Sequence, residues 1–186
     1  MNVLNSFVLG AATLAAILAI ISICLPTHIH IQRHVIVEAP VEDTFEQIQD
    51  LRNWTKLFPW HLEDPDMELT FSGPAGGEGA QYSWRSQHAN PKAGVVTIVE
   101  VEPNKRLVTN VAFQQDDTAN GTFTLEETAE GTKVTWYLDK YMGSHPIDKF
   151  SGLLVNSTVG EDFEKGLENL KKKVESRRKS LTRVSN

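Results

Sequence analysis

The chain has 186 residues, 40% hydrophobic and 23% charged, which is enough length for one globular domain with its own core plus an appendage. The formal charge of −6 is uneven: Lys165 to Asn186 holds eight basic and two acidic residues, so everything before it is strongly acidic and lacks the basic surface that a nucleic-acid partner needs. Cys24 is the single cysteine, which excludes an intrachain disulfide and any cluster of thiolate metal ligands.

Met1 to Ile29 contains no Asp, Glu, Lys or Arg, and Val3 to Leu25 is almost continuously apolar. That is about the ~20 residues a bilayer-spanning helix needs. A cleaved signal peptide wants a basic start and a shorter core, and a lipoprotein signal at Cys24 wants a small residue where Ile23 stands. An uncleaved single-pass anchor over 1–29 fits best, with Pro26 closing the helix. Ile31 to Glu38 alternates and is rich in β-branched residues, which predicts a strand close to the membrane surface. Pro40 suits the first turn of a helix over Val41 to Gln49, and a second short helix follows over Asp50 to Leu57. Pro59 and Pro65 then break the pattern.

From Met67 to Lys140 the chain reads as six strands joined by Gly-, Pro- and Asn-rich turns. Tyr82 and Trp84 share one face of their strand, Leu107, Thr109, Val111 and Phe113 one face of another, and Val134, Trp136 and Leu138 one face of the last. Short turns imply an antiparallel sheet, and one apolar face per strand implies a cover on one side only. The cover is a long helix from Pro146 to Arg178, followed by a basic, disordered tail over 179–186. Phe163, Leu167, Leu170 and Val174 form a bulky stripe on that helix, while Gly152, Asn156, Val159 and Gly160 continue the same face with small or polar residues. The first group predicts a clamp on the sheet, and the second the roof of a cavity in which the glycines leave room.

No phosphate loop, zinc motif, cysteine pair or nucleophile elbow is present. Gly73 to Gly79 opens a strand and reads as a hairpin turn. His28, His30 and His34 share a strand face, but they read as interfacial polar residues, so no metal or other cofactor is expected. Most carboxylates, including Glu63 and Asp64, fall in predicted turns or outward faces. The expected lining is aromatic and neutral: Tyr82, Trp84, Thr109, Phe113, Trp136, Asn156, Val159 and Gly160. Such a lining suits a hydrophobic ligand with one or two hydrogen bonds.

Several phrases, in order, carry a resemblance: Val35 to Pro40, Asp50-Leu51-Arg52-Asn53-Trp54, Phe58-Pro59-Trp60, Tyr82-Ser83-Trp84, Glu102-Pro103, Gly131 to Trp136 and Gly160 to Leu167. With them the chain resembles the SRPBCC (START-like) superfamily, most of all its polyketide cyclase/dehydrase-like branch. The resemblance implies an α+β helix-grip fold over 30–178: a curved seven-stranded antiparallel sheet around a long C-terminal helix, here preceded by one transmembrane helix. It implies a cavity but no particular reaction. Three functions follow as expectations. The first is a membrane-anchored domain binding a hydrophobic small molecule or lipid. The others are an enzyme of the cyclase or dehydratase kind, and a stress-related interaction module with a vestigial cavity. Similar anchored proteins point to a bacterial inner membrane, with the domain on the periplasmic side.

Overall fold

The computed structural model describes residues 3–88, 91–113, 117–143 and 145–184, without the side chains of 3–5, 15, 146–148, 151, 153–157 and 181–184. Helix α1 (Val3–Cys24) leads into strand β1 (His28–Val37). Three helices follow, α2 (Val41–Gln49), α3 (Leu51–Leu57) and α4 (Pro59–Leu62). The strands β2 (Glu68–Ser72), β3 (Gln81–Arg85), β4 (Ala93–Glu102), β5 (Arg106–Ala112), β6 (Thr118–Thr128) and β7 (Gly131–Tyr141) come next, and α5 (Pro146–Val184) closes the chain. The seven strands form one antiparallel sheet in the order β1-β7-β6-β5-β4-β3-β2, with β1 and β2 at its edges.

Local chemistry fixes the helix starts. Pro40 precedes α2, whose first turn carries Glu42 and Asp43 where negative charge suits the helix dipole. The Asp50 carboxylate caps α3 by accepting from the Arg52 backbone N–H at 2.9 Å. Pro59 starts the single turn of α4, which sequence periodicity read only as a break. α5 is helical through Val184, so the segment expected as a disordered tail from residue 179 continues the helix over its described part.

The register places the apolar side chains on one concave face. Phe71, Tyr82 and Val96 lie across β2, β3 and β4, and Leu107, Phe123 and Trp136 lie across β5, β6 and β7. A bulge between Ile98 and Glu100 leaves Val99 exposed and returns Val101 to the inner side. Phe163, Leu167, Leu170 and Val174 of α5 are all buried against this core, which is the clamp their spacing predicts. α5 packs chiefly along β1, with α2, α3 and α4 beside it. α1 is apolar and exposed along most of its length, long enough to cross a membrane. Its end meets α5 where Lys149 Nζ donates to the Ser22 carbonyl at 3.0 Å.

At Gly166 the helix comes so close to the Phe58 ring that a β-carbon would strike Cδ1 and lie 2.8 Å from Cε1. That ring is hemmed in by Trp54, Trp60 and Trp136 and has nowhere to move. Alanine would raise helix propensity by about 1 kcal/mol, but overpacking a filled core costs about 1–3 kcal/mol. Gly166→Ala is therefore expected to destabilise the fold by roughly 1 kcal/mol net, read as a lower urea midpoint at unchanged m-value; a gain in stability would show that this contact is slack.

Candidate functional site

The concave face is not uniformly buried. Along β5, Leu107 and Thr109 are buried and Val111 is half-buried, and along β7 the same change separates Val134 and Trp136 from Leu138. On β3, Tyr82 is buried and Trp84 half-buried, and on β2 Leu69 and Phe71 are both half-buried. On β3, β5 and β7 the change runs towards the same end, the end where β1 begins at His28 opposite Tyr141, while Ile29 of β1 and Ala119 of β6 stay buried there. At that end these three strands carry half-buried apolar side chains, a stretch we call the recess, on the side of the domain where α1 meets α5.

Of the residues expected to line a cavity, Tyr82, Trp84, Thr109 and Trp136 stand on this one face. Phe113 follows β5, with its ring 6.0 Å from Trp84 in an edge-on contact and Lys140 Nζ 4.3 Å from its centroid. The Trp84 ring lies over Gly94 of the next strand, in the space a β-carbon would take, and its indole N–H donates to the Pro91 carbonyl at 3.3 Å. Val159 is half-buried against the core. The side chain of Asn156 lies outside the described residues.

The glycines of α5 do a different job from the one expected of them. The room that Gly160 makes is filled by the Arg33 guanidinium, into which a β-carbon would collide. Arg33 is held there by Glu164, 2.5 Å from its Nε, and by the Gln32 carbonyl at 2.9 Å from Nη1. A β-carbon on Gly152 would sit 3.1 Å from Ile29 Cδ1. Both glycines therefore let the helix settle on β1.

Sequence periodicity missed the polar side of the recess. His61, on α4, is buried with its ring 5.4 Å from Tyr82 and 5.8 Å from Trp60. Its Nε2 lies 3.3 Å from Tyr82 Oη. Burial holds the imidazole down at about 4 and pushes the Tyr82 phenol well above its ordinary range, so both are neutral at physiological pH. Asp64, expected in an outward turn, is instead buried and accepts from Ser86 Oγ. Burial, then the neighbouring Glu63, raises the Asp162 carboxyl. The available signal was the run Leu57-Phe58-Pro59-Trp60-His61-Leu62, a histidine amid apolar and aromatic residues.

No three His, Cys, Asp or Glu side chains converge on a metal-sized site among the described residues. His28, His30 and His34 stand on the outward side of β1, where His28 stacks on His30 and His30 pairs with Asp139. An open cleft of about 600 Å³ at the other end of α5 is lined by Glu38, Glu130, Lys171 and Arg178 among others, a mixed-charge surface unlike the apolar recess.

A curved antiparallel sheet gripping one long helix is a fold on which many chemistries occur. Residues 28–175 match the family model described as polyketide cyclase / dehydrase and lipid transport, and the chain belongs to that family. No curated protein matches the chain. Among solved structures, protein SA2116 from Staphylococcus aureus, of unknown function, is 11% identical with a TM-score of 0.63, covering 82% of this chain and 96% of its own. The di-domain ARO/CYC StfQ from the steffimycin biosynthetic pathway is 12% identical with a TM-score of 0.61, covering 82% of this chain but 52% of its own. Protein CV1439 from Chromobacterium violaceum is 17% identical with a TM-score of 0.54, covering 81% of this chain and 99% of its own. At these identities the likeness is one of fold.

The His61 shift has a measurable sign. With a folded value of about 4 against the ordinary 6.5, the unfolded chain takes up a proton below pH 6.5 that the folded protein refuses until about pH 4. This contribution is whole above pH 6.5 and is lost on acidification through that window, by up to ~1.4 kcal/mol per pH unit. Asp162, with its raised value, works the other way and gains stability as pH falls. Urea midpoints at about pH 7.5 and about pH 5 are expected to fall less in His61→Gln than in the wild type. Equal falls would mean that His61 is solvated.

Proposed function

We propose that this protein binds an apolar small molecule or lipid in the recess between sheet and closing helix, and that α1 anchors the domain to a bilayer. The observation that carries the reading is the group of half-buried apolar side chains at one end of the domain: Leu69, Trp84, Val111, Phe113 and Leu138 from the sheet side and Val159 from α5. A finished core would bury them, and a face meant for water would not be built of them. Tyr82, Thr109 and Trp136 form the inner wall in this reading, and Asn156 and Gly160 belong to the helix above. The family's description, which includes lipid transport, points the same way. So does the length of α1, whose stretch Ser6–Cys24 has a mean hydropathy of 2.6.

A cyclase-like reaction is the second reading, and the His61–Tyr82 pair is what favours it. The pair is a poor match for proton abstraction near pH 7. A base held at about 4 accepts protons weakly, and a phenol pushed upward releases its own reluctantly. Binding therefore explains the site with fewer demands.

The test uses the full chain in lipid nanodiscs with a fluorescent aminoanthracene probe. Filling the recess with Leu138→Trp is expected to weaken uptake by roughly tenfold, with the melting temperature changed by only a few degrees. Uptake equal to that of the wild type would place the probe in the lipid or elsewhere and sink the assignment.

A further inference from the structure

One cross-strand row on the inner face breaks its own pattern. It runs from Ile29 on β1 through Lys140, Ala119, Val111 and Val96 to Tyr82 on β3, and Lys140 is its one charged member. Ile29 and Ala119, which flank Lys140 directly, are both buried, and the lysine side chain is only 17% exposed. Leu138 precedes it by two on β7, so the stem starts among apolar neighbours. Its ammonium reaches the mouth of the recess, 4.3 Å from the centroid of the half-buried Phe113 ring. An apolar residue would complete the row. Replacing an interior ion pair by packed apolar side chains is often neutral or stabilising, so stability alone does not call for a lysine here.

The pair that holds this lysine is lopsided. Asp117 Oδ1 and Oδ2 lie 2.6 and 2.7 Å from Lys140 Nζ, but the Asp117 side chain is 46% exposed. The carboxylate can turn into water at little cost, whereas the ammonium stays over an apolar ring and needs an anion. A lysine ammonium has three donors, and Asp117 is its one anionic partner among the described residues. Arg33 and Lys149 have structural tasks instead. The Arg33 guanidinium fills the space over Gly160 and holds Glu164, and Lys149 donates to the Ser22 carbonyl at the end of α1.

We propose that Lys140 is the headgroup site of the recess and that its ligand is an amphiphile with one anionic head on an apolar chain. The head takes the place of the Asp117 carboxylate at the mouth, and the chain lies inward along Leu138 and Val111. This rests on the ligand-binding reading above and adds the ligand's charge and its direction in the site.

The test loads the full chain, in nanodiscs of zwitterionic lipid, with the aminoanthracene probe. Octanoate or octanol is then titrated in at about pH 8, where a carboxylic acid is ionised. Octanol is the more apolar of the two, yet octanoate is expected to displace the probe at a concentration on the order of tenfold lower. The order should reverse in Lys140→Met, which keeps the length of the side chain and loses its charge. Asp117→Asn should tighten octanoate severalfold by removing its competitor, a gain that a merely structural ion pair does not give. Melting temperatures check that both variants fold, and the wild-type comparison decides if one does not. Acetate is expected not to compete; displacement as good as octanoate's would make this a general anion site and overturn the amphiphile assignment. Anionic phospholipid in the nanodiscs separates the two sources of such a head. Reduced probe uptake before any octanoate assigns it to a bilayer lipid, and unchanged uptake assigns it to a free acid. Equal displacement by octanoate and octanol in the wild type overturns the headgroup assignment and leaves the binding reading standing. No uptake of the aminoanthracene probe at all overturns both.

Discussion

The structure turns on Trp136. Its ring lies between Phe163 of α5, 3.5 Å away and nearly parallel, and Phe123 of the next strand, 4.6 Å away. Trp54 meets Trp136 and Phe123 edge-on and reaches Phe58 and Tyr82 as well. One indole thus joins the closing helix, the sheet and the short helices between β1 and β2. Each aromatic pair adds about 0.5–1.5 kcal/mol beyond the area it buries, and removing such a side chain from a core costs about 3–5 kcal/mol. The pile is buried throughout, and the half-buried side chains of β3, β5 and β7 lie beyond it towards one end of the sheet.

That division explains why the polar atoms near the recess are neutral. Groups beside a dry aromatic pile cannot hold charge without a partner, and none of the rings supplies one. His61 and Tyr82 answer by pairing with each other as uncharged groups. Many of its charges pair at the outer surface, as in Lys105–Glu102 and Lys133–Glu126, and the two on the concave face, Arg33 and Lys140, are paired with Glu164 and Asp117. The chemistry available inside is therefore hydrogen bonding and dispersion.

Much of this was legible in the sequence, for identifiable reasons. Period-two alternation is unambiguous in β5 and β7, so the inward placement of Thr109 and Trp136 followed from counting. The four-three-four spacing of Phe163, Leu167, Leu170 and Val174 gave the buried stripe of α5. What escaped notice depends on partners distant in the chain. The Val99 bulge is invisible to a pattern of alternation, because it inserts one residue without changing composition. Gly160 read as open space because nothing local shows that Arg33, over a hundred residues earlier, fills it. His61 sits in a single turn too short for periodicity to register, and its meaning comes from Tyr82 on another element.

α5 is also a ruler. Its 39 residues make a rod of about 58 Å. Lys149 touches the end of α1 near one tip, and Lys171, Lys173, Arg177 and Arg178 lie towards the other, beginning about 33 Å further along the axis. Charges in physiological salt fade over about 8 Å. The basic end is thus roughly four screening lengths from the α1 junction and speaks electrostatically to its own neighbours, Glu46, Glu38, Glu175 and Asn53. Changing ionic strength would retune that pole of the molecule while leaving the junction with α1 untouched, so the two ends of the domain answer to their surroundings independently.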